Sequence, residues 1–297
     1  MGVAIGPALV RQPITLASLK GKRIAVDTYI ELYQFLRSMP LLHDHKGRIT
    51  THLSGLFYRT TNLLSFGIKP CFILDGPFPE IKKHQKITNI IAQSRTSTTI
   101  TREIITSTQT LLSLMGVPVI QSPSEGEAQA AHLAKKGKVY AIASQDFDSF
   151  LFGAPRMISN LTLATTRTVK GKQILIGTYN YDLQQNLKHL KITHDQLIAL
   201  SMLLGTDFNP GVMDIGLKRG LQLVKHYKHR LDKLFRFVPW RYQYTWKEVY
   251  DCIKTMPITN KYKLKWKKPD ISGLHDFLVR EHNFSEQRIK NALEKLD

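Results

Sequence analysis

Long apolar runs and cysteines are scarce in this chain of 297 residues, and each shortage excludes a class of protein. No stretch of about 18 apolar residues occurs, so the sequence predicts no membrane-spanning helix. The opening residues, MGVAIGPALVRQP, lack the long apolar region of a secretory signal. The two cysteines, Cys71 and Cys252, are too few for a disulfide framework or a zinc site. We therefore expect an intracellular protein in a reducing compartment.

Acidic residues are also scarce, with 23 Asp and Glu against 42 Lys and Arg, which gives a net charge of +19. An excess of this size predicts a polyanionic partner. Nucleic acid is favoured over an anionic membrane, because no basic amphipathic segment with bulky apolar residues opposite is evident. The charge indicates affinity for polyanions and leaves open what is done to them.

The stretch from Ser124 to Asp148 gathers several of the few acids. Glu125 and Glu127 open an Ala-rich, helix-favouring run, and Asp146 and Asp148 follow the strand-like VYAIAS. Carboxylates this close repel one another, so either their pKa values rise or a cation lies among them. A divalent metal with oxygen ligands is the best candidate. Structural alternatives remain, since Ser124 with Glu127 fits a helix capping box and Asp146 with Asp148 fits a solvated turn.

The rest of the first half alternates strand-like and helix-like patterns. KRIAVD ends at Asp27 and KPCFILD ends at Asp75, a short strand PVI precedes Ser124, and a fourth strand leads to Asp146. This alternation predicts an α/β fold, with a mostly parallel central sheet flanked by helices and a site at the carboxyl ends of the strands. One Asp at a strand end is usually a helix N-cap. Three of them near two glutamates favour a metal site.

Three further segments have distinct compositions. Residues 80–110 contain many Thr and Ile, few aromatics and no Gly, which predicts either a flexible surface insertion or a mobile element that orders on a ligand. The basic residues of this segment that would face phosphates are Lys82, Lys83, Lys86, Arg95 and Arg102. Residues 156–182 predict an edge hairpin around Gly171, and Thr193 is the predicted cap of a helix that ends near Asp207.

A glycine-containing turn lies near residue 214 and precedes a basic helix. Gly211 and Gly216 flank the turn, and Lys218 and Arg219 open the helix. Such a turn offers backbone N–H groups to a phosphate, although a plain helix–turn–helix corner is an equal alternative. The tail, which begins KYKLKWKKPD, is basic and helical, and we expect most of its charges to form a solvated face.

Long blocks of the chain resemble the flap endonucleases, the structure-specific 5′-nucleases of replication and repair, in their archaeal–eukaryotic branch. The blocks are AVDTYIELYQFL, DHKGRITTHLSGLFYRT, GIKPCFILDGPFP, LLSLMGVP, SPSEGEAQAAHLA, YAIASQDFDSFLFGAP and LLGTDFNPGV. The resemblance implies a PIN-like 5′-nuclease core with a helical arch insertion and a helix–turn–helix duplex-binding region. It divides one nuclease domain over 1–297 into an N-terminal region 1–79, the arch 80–110, an internal region 111–207, and a duplex-binding region with C-terminal helices over 208–297.

The same resemblance implies roles for the acids. The family's seven acidic positions correspond to Asp27, Asp75, Glu125, Glu127, Asp146, Asp148 and Asp207. In such enzymes they hold two Mg²⁺ ions, for which Mn²⁺ can substitute. We expect Asp75, Glu125 and Glu127 nearer one ion, Asp146, Asp148 and Asp207 nearer the other, and Asp27 acting through water. Lys82 matches a catalytic residue that contacts the scissile phosphate.

DNA contacts are implied in the same way. Tyr33 matches an aromatic on which the base beside the cut stacks, and Arg59 matches a DNA-contacting arginine. The remaining predicted DNA-binding residues are Lys82, Lys86, Arg95, Gly211, Gly216, Lys218 and Arg219. The turn from Gly211 to Arg219 corresponds to one that holds K⁺. Gly2 would lie near the active site.

Three departures from the family pattern are visible. The arch is short, with 50 positions between Asp75 and Glu125, and Asn89 stands where the family has an arginine. Asp214 replaces the second glycine of the duplex-binding turn, where it adds negative charge near a phosphate. The sequence, which runs to Asp297, contains no C-terminal clamp-binding motif of the Gln-x-x-hydrophobic-x-x-aromatic-aromatic kind, so association with a sliding clamp is not supported.

The predicted function is Mg²⁺-dependent hydrolysis of a phosphodiester near a 5′ flap junction, with 5′–3′ exonuclease action, in Okazaki fragment processing and DNA repair. We expect a monomer, cytoplasmic in an archaeon and nuclear in a eukaryote. Two alternatives remain. One is a sister 5′-nuclease that acts on bubbles, four-way junctions or 5′ ends, and the other is a catalytically silent DNA-junction binder.

Overall fold

A seven-stranded mixed sheet forms the centre of the molecule. The computed structural model describes residues 3–83, 100–161, 166–169, 172–175 and 177–296. The strands are β1 (Gln12–Ile14), β2 (Arg23–Asp27), β3 (Lys69–Leu74), β4 (Val119–Gln121), β5 (Ala141–Ala143), β6 (Arg156–Ser159) and β9 (Thr178–Asp182). They lie in the order β1-β9-β6-β5-β2-β3-β4. Five neighbouring strands are parallel, namely β4, β3, β2, β5 and β6. Strands β9 and β1 extend the sheet beyond β6 in antiparallel orientation. The predicted mostly parallel α/β sheet is confirmed.

Helices cover both faces of the sheet. They are α1 (Thr28–Ser38), α2 (Thr51–Ser65), α3 (Arg102–Leu114), α4 (Gly126–Lys135), α5 (Asp148–Leu151), α6 (Leu183–Leu190), α7 (His194–Leu204), α8 (Leu217–Tyr227), α9 (Leu231–Phe237), α10 (Trp246–Lys254), α11 (Ile271–His275) and α12 (Glu286–Leu293). Short 3₁₀ turns occupy Gly6–Ala8, Leu16–Leu19 and Glu294–Leu296, and Asp276–Glu281 is a π-helix. None of the helices in the described ranges is both long and apolar enough to cross a membrane.

Alternate residues of β2 divide the core into two layers. Ala25 belongs to a cluster formed with α4, α5 and α7, whereas Ile24 and Val26 belong to a cluster formed with α1, α2 and α3. Successive side chains of a strand point to opposite faces, so a fully apolar strand is buried on both. The continuous apolar runs of the sequence therefore became central strands.

The register of the parallel strands brings their carboxyl ends to one edge. Asp27 lies opposite Ile73, and Val26 lies opposite Ala143. The residues that follow these positions along β2, β3 and β5 therefore leave the sheet on the same side. This side of the sheet, where the parallel strands end, is called the carboxylate edge below, after the acids that follow these strands. It is distinct from the lateral edges formed by β1 and β4.

Two segments differ from expectation. Residues 102–110 were predicted to belong to a flexible surface insertion or a mobile element that orders on a ligand. They form most of α3 instead, because Ile104, Thr108 and Leu111 are buried against the body of the protein. Residues 84–99 lie outside the described part of the chain. The predicted edge hairpin is present as β7 (Thr166–Val169) and β8 (Lys172–Leu175), which pair with each other as a separate two-stranded sheet. Strands β6 and β9, on either side of it, belong to the central sheet.

Candidate functional site

The first three acids lie where β2, β3 and β4 leave the sheet. Asp27 is the last residue of β2 and caps α1, since its Oδ1 accepts the N–H of Ile30 at 3.1 Å. Asp75 follows β3, and its Oδ1 accepts the N–H of Gly126 at 2.6 Å. Glu125 is the N-cap residue of α4, but its side chain makes no capping hydrogen bond. These contacts bring Asp75 to the N-terminus of the helix that carries the glutamates.

The capping box suggested by the sequence is not formed. The Ser124 hydroxyl donates to the carbonyl oxygen of Pro77 at 3.2 Å instead. The Glu127 carboxylate accepts from the Ser144 hydroxyl at 2.9 Å. Glu127 is therefore oriented into the site rather than back to its own helix end.

Lys82 places a cation among the carboxylates. Its Nζ lies 2.5 Å from Oε2 of Glu125 and 3.1 Å from Oδ2 of Asp207. Burial would lower the pKa of Lys82, but the charges of Glu125 and Asp207 outweigh it and raise the pKa above its ordinary value. For Asp207, burial is outweighed by the Lys82 ammonium, so the pKa of that carboxyl is lowered. Lys82 therefore stays charged and offsets part of the negative charge.

The remaining acids lie on the other side of the site. The Asp148 Oδ1 accepts the N–H of Val3 at 2.9 Å, so the N-terminal segment packs against the site. The N–H of Asp146 donates to the Ser144 hydroxyl at 3.1 Å. Ser144 thus contacts both Asp146 and Glu127 and fixes the turn after β5. The sequence prediction missed Ser144, and its position just past a strand was the only available signal.

Several of these carboxyl groups are harder to ionise than usual. Burial, with the charge of Asp75 second, raises the pKa of Asp27 to about 8. Burial and then the charge of Asp207 raise the pKa of Asp148 to about 7. Burial and Asp148 hold the pKa of Glu127 well above its ordinary value, and burial followed by Asp75 raises that of Glu125 despite Lys82. Negative charge at this edge therefore exceeds the compensation that Lys82 supplies.

These repulsions connect all seven acids that the sequence singled out. Glu127 is repelled most by Asp148, Asp27 and Asp146. Glu125 is repelled by Asp75 and Asp207, the two acids that also act on Lys82. Asp75 also repels Asp27 and Asp207 repels Asp148, so the acids form one connected cluster.

The donor set suits divalent cations. All seven groups are carboxylates, the ligands that hard cations prefer, and Oε1 of Glu125 is buried without a hydrogen-bond partner. In the described part of the chain, no three Asp, Glu, His or Cys side chains converge closely enough to ligate one ion in their present positions. Ligation of an ion therefore requires the carboxylate side chains to move, and Oε1 of Glu125 has no hydrogen bond to lose when they do.

The predicted DNA contacts on α1 and α2 differ in exposure. Tyr33 is 36% exposed, with the Arg37 guanidinium 5.6 Å from its ring centre. Arg59 is paired with Glu31 and lies 5.0 Å over the ring of Phe35, and burial lowers its pKa to about 10. Tyr33 is therefore available to a ligand, whereas Arg59 is engaged within the packing of α1 on α2. Lys86 and Arg95 lie outside the described residues.

Two exposed leucines were missed by the sequence prediction. Leu41 is 55% exposed and Leu42 is 41% exposed, in the loop that follows α1. The apolar pair in the otherwise polar connection SMPLLHDHKGR was the available signal. Together with Tyr33 they give the end of α1 an apolar surface.

The predicted duplex-binding turn connects α7 to α8. Gly211 has a φ of 87° and its Cα lies against the backbone of Leu204 and Gly205, so a side chain there would clash. Asp214 has a φ of 60°, the left-handed conformation that the family's glycine would adopt. Gly216 is the N-cap of α8, and Lys218 and Arg219 are exposed in its first turn. The backbone therefore retains the shape that the sequence predicted.

Comparison with known proteins accounts for most of the chain. Residues 5–94 match the XPG N-terminal domain and residues 116–207 match the XPG I-region. Flap endonuclease 1 of Pyrococcus horikoshii is 44% identical over 327 residues, which cover 100% of this chain and 94% of the relative.

Solved structures of related proteins share the fold of this chain. Flap endonuclease-1 from Methanococcus jannaschii superposes with a TM-score of 0.84 at 33% identity, over 99% of this chain and 98% of that one. The catalytic core of Rad2 in complex with DNA substrate superposes with a TM-score of 0.81 at 26% identity, over the full length of both chains. The chain shares this level of identity along its whole length, has the same fold and carries the acids at one edge of its sheet. It therefore belongs to the flap endonuclease family.

Proposed function

We propose that this protein hydrolyses a phosphodiester of DNA near the junction between a 5′ single-stranded flap and a duplex. The observation that carries the proposal is the carboxylate edge, where seven acids and one buried lysine lie together in a chain of net charge +19. A basic protein that concentrates acids at one place has the charge distribution of a nuclease. The basic surface attracts the polyanion and the acids hold the ions that cleave it.

The protein's own groups perform three tasks there. The seven carboxylates Asp27, Asp75, Glu125, Glu127, Asp146, Asp148 and Asp207 would hold two Mg²⁺ ions. When bound, the ions supply an activated water and stabilise charge on the leaving 3′-oxygen. The Lys82 ammonium lies between Glu125 and Asp207, where it can donate to a phosphate oxygen that displaces one of them.

The outer contacts set which phosphodiester is reached. Tyr33 offers an exposed ring on which the base beside the cut can stack. The turn from Gly211 to Arg219 presents backbone N–H groups and two basic side chains to the duplex, and K⁺ is its expected ion. Asp214 lies in this turn, so its charge weakens duplex affinity relative to a glycine. Residues 80–110 remain the proposed arch, with its packed end beginning at Arg102.

The test is a cleavage assay with Mg²⁺ on end-labelled double flap, single flap, bubble, four-way junction and single-stranded DNA. The wild type should cut the flap substrates close to the junction. Asp146→Ala should lower the rate at least about 100-fold while DNA binding is kept or tightened, because the change removes a metal ligand and also a negative charge. Asp251→Ala, an exposed acid on α10, is the matched control and should cleave normally.

Each other outcome has a distinct meaning. Near-normal cleavage by Asp146→Ala would show that the site is assigned wrongly. Cleavage mainly of bubbles or four-way junctions would keep the chemistry and change the substrate class. Tight junction binding without cleavage in Mg²⁺ or Mn²⁺ would leave a DNA binder without nuclease activity.

A further inference from the structure

A segment near the C-terminus presents a row of lysines to solvent. The sequence predicted a helix here, but the structure has none, and the residues alternate between exposed and partly buried as in an extended chain. In KYKLKWKK, residues 261–268, the side chains of Lys261, Lys263, Lys265 and Lys267 are exposed, and Lys268 extends the row. The alternate residues Tyr262, Leu264 and Trp266 are partly buried and pack against the core. This segment, called the lysine strap below, therefore has one apolar face on the protein and one cationic face on the solvent.

Hydrogen bonds fix the strap at the edge of the sheet where the parallel strands begin. The indole Nε1 of Trp266 donates to the carbonyl oxygen of Pro70 in β3 at 2.7 Å. The N–H of Lys267 donates to the carbonyl oxygen of Gly116, just before β4, at 2.8 Å. The strap is therefore an ordered part of the fold, and these two contacts place its last residues at the edge opposite the carboxylates.

Further cations border the strap. Lys22, Arg23 and Lys69 are exposed at the starts of β2 and β3, and the Arg23 guanidinium lies 5.5 Å over the ring of Trp266. No acid occurs between residues 256 and 269. Within the described ranges, none of the strap lysines pairs with a carboxylate. Among the described residues, these side chains and the strap therefore form a cationic surface.

The last residues of the strap lie far from the carboxylate edge. Strands rise about 3.3 Å per residue, so β2 and β3 separate the two edges by roughly 16–20 Å. The strap begins nearer the acids, since the N–H of Thr259 just before it donates to the side chain of Gln129 in α4 at 2.7 Å. The row of lysines therefore leads away from the carboxylate edge, and a polyanion on its far end would be a separate segment.

We propose that the lysine strap, with Lys22, Arg23 and Lys69, binds the phosphate backbone of a second DNA duplex. Alternate residues of an extended chain are about 6.7 Å apart, which sets the lysines in a regular row of point charges suited to phosphates. The aromatic rings face inward, so the strap offers no stacking platform for the bases of a single strand. Contacts limited to phosphates bind duplex DNA without sequence preference.

This role goes beyond cleavage and is independent of it. A protein with DNA at both edges of its sheet bridges two duplexes and can pass from one to the other without release. The lysines of the strap touch none of the acids or DNA contacts proposed above. Cleavage of a short flap substrate should therefore not depend on them.

The test is a capture experiment with the whole chain. A flap substrate with short arms is fixed to beads, protein is bound in Ca²⁺ to prevent cleavage, and a labelled blunt duplex without a flap is added. The wild type should retain the labelled duplex. The triple variant Lys263→Gln, Lys265→Gln, Lys267→Gln should lose this retention. The matched control is Lys188→Gln, Lys290→Gln, Lys295→Gln, which removes three exposed lysines elsewhere and should retain it.

A second measurement makes the comparison quantitative. The logarithm of the blunt-duplex dissociation constant is plotted against the logarithm of salt concentration for each protein. Each lost phosphate contact should reduce the slope by about 0.9, so the strap variant should lose roughly 3 in slope. Flap cleavage in Mg²⁺ should equal the wild-type rate, which shows that the variant is folded.

Three results would overturn the proposal. The first is absence of capture by the wild type, and the second is equal capture by the strap variant and the wild type. The third is displacement of the labelled DNA by duplex RNA at a tenfold lower concentration than by duplex DNA, which would assign the surface to RNA. A failure of flap cleavage in the wild type would concern only the carboxylate edge.

Discussion

At the scale of single residues, Lys82 is the group whose position carries most information about the site. It is a buried lysine whose two partners, Glu125 and Asp207, come from distant parts of the chain. A buried ammonium would normally be costly, and here the carboxylates around it keep it charged. The same charge lowers the repulsion among acids that have to lie close together to hold ions.

Lys82→Ala should slow single-turnover flap cleavage by about 100-fold and leave DNA affinity nearly unchanged, because on the proposed mechanism the ammonium acts on the scissile phosphate and not on the duplex. The matched control is Lys188→Ala. Lys188 is exposed on α6, outside the residues proposed to contact DNA, so this variant should cleave at the wild-type rate. A wild-type rate for Lys82→Ala would reduce Lys82 to a structural counterion.

At the scale of elements, the close packing of α1 on α2 positions Tyr33 and Arg59, the two residues of these helices that we propose contact DNA. Gly55 of α2 lies against the ring of Phe35 of α1, and a Cβ at Gly55 would overlap three atoms of that ring. The Arg59 guanidinium covers the same ring and pairs with Glu31. Tyr33 and Arg59 are thus held on two helices whose separation a single glycine permits.

Gly55→Ala should lower the free energy of unfolding by about 1–3 kcal/mol, because the added methyl group overpacks the interface between α1 and α2. Thermal unfolding monitored by circular dichroism measures the loss as a midpoint several degrees lower. Gly216→Ala is the matched control, since nothing lies within 4 Å of a Cβ there and its φ is −87°. Equal midpoints for the two variants would contradict the packing argument.

At the scale of the whole molecule, the carboxylate edge makes folding depend on pH. Folded-state pKa values of about 8 for Asp27 and about 7 for Asp148 exceed the unfolded value near 3.9. Between these values the folded state binds more protons than the unfolded state, so stability falls as pH rises. This contribution is fully present below about pH 4 and is lost by about pH 8.

Without divalent ions, the protein should therefore unfold at a lower temperature at pH 8.5 than at pH 5.5, and Mg²⁺ should recover part of the difference at pH 8.5. Scanning calorimetry in a chelator and then in Mg²⁺ measures both effects. Asp27→Asn, which cannot ionise, should show a smaller drop between the two pH values. A midpoint that rises from pH 5.5 to pH 8.5 in chelator would contradict this account.

The pKa of a second buried acid, Asp44, is shifted in the opposite direction, and its effect on stability falls below the pH range of the carboxylate edge. Burial alone would raise the pKa of Asp44, but the N–H and guanidinium groups of Arg48, with His282, hold it below its ordinary value. A lowered carboxyl pKa gives stability that is lost only as pH falls below about 4. Asp44 therefore does not contribute to the comparison between pH 5.5 and pH 8.5. Burial lowers the pKa of His52 to about 4 and also lowers the pKa of His194, so these two groups add stability as pH rises from 5.5 and oppose the effect of the carboxylate edge.

Much of this protein was determined by its sequence alone. Apolar runs with no polar position became strands buried on both faces, and the alternation of strands with helices left only a mostly parallel sheet. Parallel strands end at one edge, so acids that follow such runs, like Asp27 and Asp75, had to lie near one another. Local patterns and the direction of the strands were sufficient for these predictions.

Other features were decided only by the tertiary structure. Lys82 meets Glu125 across 43 residues of sequence and Val3 meets Asp148 across 145, and no local pattern encodes such pairs. The segment 102–110 looked too rich in β-branched residues for a helix, yet burial of Ile104 and Leu111 outweighs that weak preference. The lysine strap was predicted as part of a helical solvated face. It is not a helix, because Tyr262, Leu264 and Trp266 pack against the core at alternate positions and leave the lysines between them in one exposed row.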